Sequence, residues 1–316
     1  MTQGLNRRRF LAISAATVVL PGTLRPGDGR AAAPVARWRG TALGAGAAMT
    51  LVGLDDTAAR PVFAALEAEI ERLETLFSLY RADSALARLN RDGRLAAPAP
   101  EILELLSLSD ALHRATEGAF DPTIQPLWQL HAQAASENRD PTAGELAEGL
   151  ALSGWGKLRF SAREVAFARP GMAMTFNGIA QGYIADRVAA LLRGRGLTDV
   201  LVDMGEIVAL GRRPDGSAWR AGLATPEGAI VREVRLAERA LATSAPLGTL
   251  LDRAGRVGHI LDPRSGRPGG HWRLVSVAAG RAALADGLST ACCLLPRPAI
   301  DAALAAHSDA SLEALL

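Results

Sequence analysis

The sequence predicts an α+β fold in which a helical portion and a sheet portion flank a cleft. The first half of the 316-residue chain carries long stretches with apolar residues at helical spacing. Around residue 160 the sequence pattern changes to short runs of residues that favour β-strands. Helices and strands do not alternate strictly along the chain, and this mixture favours α+β.

Two amphipathic helices are predicted in the first half. In RPVFAALEAEIERLETLFSLY the apolar residues fall mostly at steps of three and four; they are Val62, Phe63, Leu66, Ile70, Leu73 and Phe77. The stretch PEILELLSLSDALHRATEG repeats the pattern between Pro100 and Gly118, where glycine ends the helix.

The second half is predicted to mix short strands with helices. Strands are expected at Ala173 to Phe176, at Val200 to Met204 and near Leu274 to Ala278. Between the first two, YIADRVAALLRGRG predicts a helix that ends at Gly194 or Gly196. Further helical stretches are expected from Ala285 to Leu295 and from Ala299 to Leu315.

The bulk composition is that of a globular chain without a nucleic-acid-binding signature. Hydrophobic residues make up 49% of the chain and the net charge is +2. Disorder is therefore excluded, and no electrostatic argument favours a nucleic-acid partner. The two cysteines, Cys292 and Cys293, are adjacent, a spacing that rarely forms a disulfide and offers no CxxC pair for zinc. We expect both to be buried in an apolar run.

The N-terminus has the features of an export signal. In NRRRFLAISAATVVLPG three arginines precede an apolar stretch from Phe10 to Leu20, which is short for a membrane span and typical of a signal-peptide core. Consecutive arginines followed by Phe and Leu resemble a twin-arginine signal. We predict a twin-arginine-type signal peptide and linker at residues 1–33, one domain at residues 34–316, and a periplasmic protein exported in folded form.

The stretch LADGLSTACC holds candidate metal ligands. Asp286 and Thr290 are four residues apart, so a helix puts them on one face. A carboxylate and a hydroxyl are hard oxygen ligands of the kind that Mg²⁺ takes together with substrate phosphate. In NGIAQGYIAD, Asn177 and Gly178 come directly before a helix, where backbone amides can meet phosphate oxygens. Each feature also has a structural interpretation, with Asp286 as a helix cap and Thr290 bonded to a carbonyl.

The segment GHILDPRSGRPGG, from Gly258 to Gly270, sets a histidine among prolines and glycines that exclude a helix. It is either a plain turn with an incidental histidine or a loop that presents His259 to a substrate. Taken alone, the segment favours the first interpretation. The other four histidines, at positions 113, 131, 271 and 307, have no comparable setting.

Seven blocks in consistent order give the chain a family resemblance. They are SLYRADSALARLN, GAFDPTIQPLW, NGIAQGYIADRV, DMGEIVALG, LATSAPLG, GHILDPRSGRP and LADGLSTA. Together they resemble the ApbE family, the FAD:protein FMN transferases. The leader, NGIAQGY and GEIVALG are most similar to the NosX-like periplasmic branch, which is associated with nitrous oxide reductase maturation. The resemblance implies a two-lobed fold with a mixed or antiparallel sheet, flanking helices and an FAD cleft between the lobes.

The resemblance also implies a metal and a general base. Asp286 and Thr290 would be side-chain ligands of Mg²⁺, and the backbone carbonyl of Gly178 would be another ligand. His259 would deprotonate the acceptor hydroxyl, since an ordinary histidine pKa of about 6.5 suits proton transfer at neutral pH. Asp262 would brace the loop rather than react.

On the family pattern, seven residues would contact FAD: Leu43, Tyr80, Ala119, Phe120, Asp121, Thr175 and Gln181. Tyr80 would pack on the flavin nucleotide, and the segment at 119–121 would line the adenosine side. Thr175 stands where many members have Asp, and Gln181 where Lys or Glu is common, so nucleotide contacts are expected to differ there. Glu206 directly follows Gly205 where the family usually has a pair of glycines.

The reaction that the resemblance implies is Mg²⁺-dependent transfer of the FMN moiety of FAD to a Thr or Ser hydroxyl of a target protein, with release of AMP. The expected acceptor is a periplasmic or membrane-bound electron-transfer protein, in this branch a NosR-like one. Two alternatives stay open: a non-catalytic FAD-binding assembly factor, and an FAD pyrophosphatase that gives FMN and AMP. The chain has no Asp-Gly-x-x-Gly-Ala-Thr acceptor motif, so self-modification is not predicted.

Overall fold

The computed structural model describes the backbone of Thr17–Val19 together with residues 33–225, 228–252 and 254–316. The helices are α1 (Asp56–Phe77), α2 (Ala85–Asp92), α3 (Pro100–Ala115), α4 (Gln125–Ser136), α5 (Ala143–Ala151), α6 (Ala180–Gly194), α7 (Ala282–Cys292) and α8 (Arg297–Ala305). The strands are β1 (Thr17–Val19), β2 (Val35–Ala42), β3 (Ala45–Val52), β4 (Arg94–Ala96), β5 (Leu158–Phe160), β6 (Glu164–Phe167), β7 (Val200–Asp203), β8 (Ile207–Leu210), β9 (Trp219–Ala224), β10 (Ile230–Leu236), β11 (Arg239–Ser244), β12 (Leu261–Asp262), β13 (Arg267–Pro268), β14 (Val275–Ala279) and β15 (Ser311–Leu315).

A seven-stranded sheet forms the centre of the fold, in the order β15-β14-β11-β8-β7-β3-β2. Every neighbouring pair in it is antiparallel. Strands β8, β11 and β14 are buried along almost their whole length, because both faces of the sheet are covered. Helices α1, α6 and α7 pack on one face, while β9 and β10 pack on the other. The predicted α+β class is confirmed.

Helices α6 and α7 are locked together at one end of this sheet. A Cβ atom on Gly182 would lie 2.4 Å from the carbonyl oxygen of Ala282, so only glycine permits the approach. Asp186 of α6 accepts the backbone N–H groups of Ala282 and Ala283 at the start of α7, at 2.7 and 3.0 Å. In return, Asp286 of α7 accepts the Gly182 N–H at the start of α6, at 3.2 Å. The N-cap residues, Ile179 of α6 and Arg281 of α7, make no side-chain capping hydrogen bond. Each helix instead receives its N-terminal cap from a carboxylate on the other.

The predicted strand from Ala173 to Phe176 is wrong. The segment is irregular, and a side chain takes the place of a partner strand. Asn90 on α2 donates from Nδ2 to the carbonyl of Met174 and accepts the Met174 N–H at Oδ1, both at 2.8 Å. This clamp fixes the chain just before the turn that leads into α6.

The predicted helix from Ala299 to Leu315 is correct only in its first part. Helix α8 ends at Ala305, and Ser311–Leu315 forms the edge strand β15 beside β14. Leu312 and Leu315 pack against the core from this strand. In the C-terminal segment, strand pairing with β14 therefore outweighs the local preference for a helix.

The two adjacent cysteines lie at the C-terminal end of α7. Cys292 and Cys293 are both free and buried, as predicted. Burial raises the pKa of both thiols, to about 12 for Cys292. Both therefore stay protonated and unreactive at neutral pH.

Most of the predicted leader, residues 1–16 and 20–32, lies outside the described residues. Its described part, Thr17–Val19, is strand β1, which pairs antiparallel with β9. Among the helices that the structure describes, none combines the length and the apolar character needed to cross a membrane. The boundary at residue 33 and the export route stay predictions.

Candidate active site

A cavity of about 480 Å³ lies among the start of α6, helix α7 and the loop that carries His259. All of the predicted site residues line it except Leu43 and Tyr80. The fold therefore brings together segments that are up to about 170 residues apart in the chain, as from Ala119 to Thr290.

Asp286 projects from α7 into this cavity and is almost fully buried, with 4% of its surface exposed. Its Oδ2 atom accepts the Gly182 N–H. Burial raises the pKa of Asp286 to about 7; the Gly182 N–H opposes the rise and the charge of Asp186 adds to it. An ionised Asp286 is therefore costly unless a cation lies against it.

Thr290 lies one helical turn beyond Asp286. Its hydroxyl is 3.3 Å from Ser244 Oγ at the end of β11, and Ser244 is also 2.8 Å from Ser289 Oγ. Gly178 packs directly against Thr290, because a Cβ atom there would lie 3.2 Å from both Cγ2 and Oγ1 of Thr290. The three predicted metal ligands thus lie in one wall, and Ser244, which the sequence analysis did not select, holds the Thr290 hydroxyl.

Thr175 and Gln181 both line the cavity, although they depart from the family pattern. The Thr175 N–H donates to the carbonyl of Pro122 at 2.8 Å, and the Thr175 hydroxyl accepts the Asn177 N–H at 3.1 Å. Gln181 fills the space beside Gly205, where a Cβ atom would lie 2.9 Å from Gln181 Nε2. Both side chains therefore fix loops of the cavity wall.

Ala119, Phe120 and Asp121 form another part of the wall. Asp121 Oδ1 accepts the backbone N–H and the hydroxyl of Thr123, at 2.8 and 2.6 Å, and Oδ2 accepts the Trp155 N–H at 2.9 Å. Because both carboxylate oxygens already have donors, Asp121 holds this loop in place. The segment offers a ligand mainly the apolar surface of Ala119 and Phe120.

His259 is half-buried in the wall. Its backbone N–H donates to the carbonyl of Thr249 at 3.1 Å, and its ring Nδ1 lies 3.2 Å from the same oxygen. Donation by Nδ1–H leaves the lone pair on Nε2, the tautomer that a general base needs. Burial lowers the pKa of His259, against the opposing effect of the Thr249 and Pro246 carbonyls. The neutral ring is therefore the favoured form at neutral pH.

The predicted bracing role of Asp262 matches the geometry of the loop. Asp262 Oδ1 accepts the backbone N–H and Nε of Arg264, and Oδ2 accepts Nη2, all at 2.9 Å. Arg264 Nη2 also donates to the carbonyl of Leu294 just after α7, at 3.1 Å. This pair ties the loop of His259 to the helix of Asp286.

Glu206 is a cavity residue that the sequence analysis did not select as a site residue. It lies in the turn between β7 and β8, with 7% of its surface exposed, and its Oε2 atom has no hydrogen-bond partner among the residues described. Burial raises the pKa of Glu206 well above its ordinary value. The charges of Asp286 and Asp203 raise it further, and the Thr243 N–H opposes the rise. The sequence feature that could have identified Glu206 is the carboxylate directly after Gly205, where the family usually has a second glycine.

The cavity is acidic. Asp121, Glu206 and Asp286 line it, and no lysine or arginine does so among the described residues. In the same part of the chain, no group of three or more His, Cys, Asp or Glu side chains is arranged to hold a metal. A cation here would be held by at most two carboxylates with hydroxyl, carbonyl and ligand oxygens. That donor set fits Mg²⁺, which favours few protein oxygens together with phosphate.

Leu43 and Tyr80 lie outside the cavity lining. Leu43 occupies the tight turn between β2 and β3 with φ at 49°, and its N–H donates to Glu74 Oε1 at 2.7 Å. Tyr80 follows α1 and is 55% exposed. Their contacts to FAD stay predictions.

The chain is similar to known proteins in both sequence and fold. The sequence pattern of the ApbE family matches residues 43–316. The FAD:protein FMN transferase of Treponema pallidum is 33% identical over 273 residues, which cover 75% of this chain and 73% of the relative. That of Vibrio cholerae is 31% identical over 240 residues, covering 71% and 72%. The crystal structure of Pseudomonas stutzeri flavinyl transferase ApbE, in its apo form, gives a TM-score of 0.74 at 31% identity, covering 86% and 88% of the two chains. The chain therefore belongs to the ApbE family.

Proposed function

We propose that this protein transfers the FMN moiety of FAD to a Thr or Ser hydroxyl of an acceptor protein and releases AMP, with Mg²⁺ bound. The observation that carries the proposal is the composition of the cavity. Carboxylates and a neutral histidine line it without any lysine or arginine from the described residues. Curated relatives that bear the name FAD:protein FMN transferase support the reaction class.

The reaction balances on groups that the chain and its substrates supply. The acceptor oxygen bonds to the phosphorus of the FMN half of FAD, and the pyrophosphate P–O bond breaks. The electron pair of that bond leaves with AMP, while the hydroxyl proton passes to Nε2 of His259. Such proton transfer typically contributes roughly 10²–10⁴-fold to the rate.

Asp286, Thr290 and the Gly178 carbonyl would hold the cation. Mg²⁺ at this position supplies neutralisation of the pyrophosphate charge. The chain's own contribution is to fix these oxygens, because the mutual capping of α6 and α7 immobilises Asp286 and the Ser244 hydroxyl orients Thr290. A bound cation would compensate the charge of an ionised Asp286.

We further propose that the protein acts in the periplasm on an electron-transfer protein, in the NosX-like branch a NosR-like one. The twin-arginine-type leader supports this location, and the resemblance of NGIAQGY and GEIVALG supports the branch. A membrane-bound acceptor would present its threonine to the face that carries the His259 loop.

The proposal is tested by incubating the purified protein with FAD, Mg²⁺ and an acceptor domain that carries Asp-Gly-x-x-Gly-Ala-Thr. Mass spectrometry should record the gain of one FMN moiety, and none when the acceptor threonine is replaced by valine. Release of AMP and FMN without an adduct would assign the protein as an FAD pyrophosphatase. Tight FAD binding without either product would assign it as an assembly factor.

A further inference from the structure

Glu206 is a buried carboxylate with one oxygen, Oε2, that finds no hydrogen-bond partner among the described residues. Only 7% of its surface is exposed, it lines the cavity, and Oε2 makes no hydrogen bond to any residue that the structure describes. Buried polar groups are almost always paired, and leaving one unpaired costs stability. The described part of the chain therefore leaves one oxygen of Glu206 available to a group that enters the cavity.

The position of Glu206 is fixed by the backbone. Gly205 has φ at 96°, and its N–H donates to Asp203 Oδ1 at 3.1 Å. The Met204 N–H donates to the Glu206 carbonyl at 3.0 Å and closes the turn. Gln181 packs against Gly205 from α6, so the turn cannot shift toward that helix without a clash. The carboxylate is thus held in the wall rather than free to leave it.

The charged surroundings of Glu206 determine what that group can be. The carboxylates that act on Glu206 are Asp286 on α7 and Asp203 on β7, and Asp186 acts in turn on Asp286. Among the described residues of the lining, the other titratable groups are His259 and Asp121, and the oxygens of Asp121 are occupied. A further anion would be repelled here, whereas a small cation would be attracted by two carboxylates at once.

We propose that Glu206 is a further ligand of the divalent cation at Asp286 and Thr290. This inference rests on the proposed function, and it adds a second carboxylate to the set that the family resemblance implies. Two carboxylates, the Thr290 hydroxyl and the Gly178 carbonyl make an all-oxygen site of the kind Mg²⁺ favours.

The test is Mn²⁺ binding to the metal-free protein, measured by the loss of the free Mn²⁺ signal in electron paramagnetic resonance, with Mg²⁺ as competitor. Glu206→Gln keeps the shape of the side chain and should weaken Mn²⁺ binding by about 10-fold or more. Glu206→Asp keeps the charge on a shorter side chain and should bind with intermediate affinity. Asp203→Asn removes a nearby charge from a side chain outside the cavity lining, keeps an Oδ1 atom that can accept the Gly205 N–H, and should bind Mn²⁺ with an affinity close to that of wild type.

Two results would overturn the inference while leaving the proposed function intact. One is a wild-type affinity in Glu206→Gln. The other is an equal loss in Asp203→Asn, which would mean that general electrostatics and not a ligand bond is at work. A wild-type protein that binds no Mn²⁺ would overturn both the inference and the proposed metal dependence. Metal-free thermal unfolding checks that Glu206→Gln is folded, and we expect it to be at least as stable as wild type.

Discussion

Replacing Asp286 with Asn removes a negative charge from the cavity while keeping an oxygen that can accept the Gly182 N–H. Burial raises the pKa of Asp286 from 3.8 to about 7. Since one pKa unit corresponds to about 1.4 kcal/mol, ionising Asp286 costs the metal-free fold about 4 kcal/mol above pH 7. The variant does not carry this cost.

The sign of the pH dependence follows from proton binding. Between about pH 4 and pH 7 the native state holds this proton and the unfolded chain does not, so stability falls as the pH rises. We expect metal-free Asp286→Asn to be more stable than wild type by about 2 kcal/mol at pH 5 and about 4 kcal/mol at pH 8. Mg²⁺ should stabilise wild type, because it binds the native state, and should hardly affect the variant.

Urea unfolding in EDTA, followed by circular dichroism from pH 5 to pH 8, measures this difference, and a second series contains Mg²⁺. Asp301→Asn, on the exposed side of α8, is a matched control that should give a small difference that Mg²⁺ does not alter. A stability difference between variant and wild type that does not grow with pH, or a variant less stable than wild type at pH 8, would contradict the raised pKa of Asp286.

Three further predictions follow from single contacts. His259→Gln should still bind FAD, as measured by fluorescence, but its transfer rate should fall roughly 10²–10⁴-fold. Because the pKa of His259 is lowered, the wild-type rate at saturating Mg²⁺ should fall only at pH values below the ordinary histidine pKa. A normal rate in the variant would refute the assignment of His259 as the base. Gly182→Ala places a Cβ 2.4 Å from the carbonyl oxygen of Ala282 and should lower the free energy of unfolding in urea by about 3 kcal/mol. Gly194→Ala should not, because a Cβ there meets no described atom within 4 Å apart from its chain neighbours and its own helix backbone. Asp121→Asn should raise the KM for FAD more than it lowers kcat, because the side chain shapes the wall; an equal fall in kcat would contradict that.

Helices α1, α3, α6 and α7 are predicted well from the sequence because their signal is local, whereas α2, α4 and α5 are not predicted. The spacing of Val62, Leu66, Ile70 and Leu73 is enough to predict α1. The two failures depend on distant partners. Ser311–Leu315 becomes a strand because β14 is beside it, and the segment at 173–176 is held by Asn90, 84 residues from Met174.

The site is predicted in part for a similar reason. Asp286, Thr290, Gly178 and His259 belong to blocks whose order resembles a family, and the fold places all four around one cavity. Glu206 could not be predicted as a site residue from the sequence, because it is marked out by its burial beside Asp286, which lies 80 positions later. The same holds for Ser244, whose hydroxyl meets Thr290 only in the folded chain, and for the mutual capping of α6 and α7.

In the proposed reaction, an acceptor hydroxyl cleaves FAD in the acidic cavity, with His259 as the general base. The most direct measurement quantifies AMP and flavinylated acceptor in the same reaction with FAD, Mg²⁺ and the acceptor domain described above. We expect equal amounts of the two products with wild type, and only a trace of either with His259→Gln. AMP in large excess over flavinylated acceptor, or transfer that proceeds undiminished in EDTA, would contradict it.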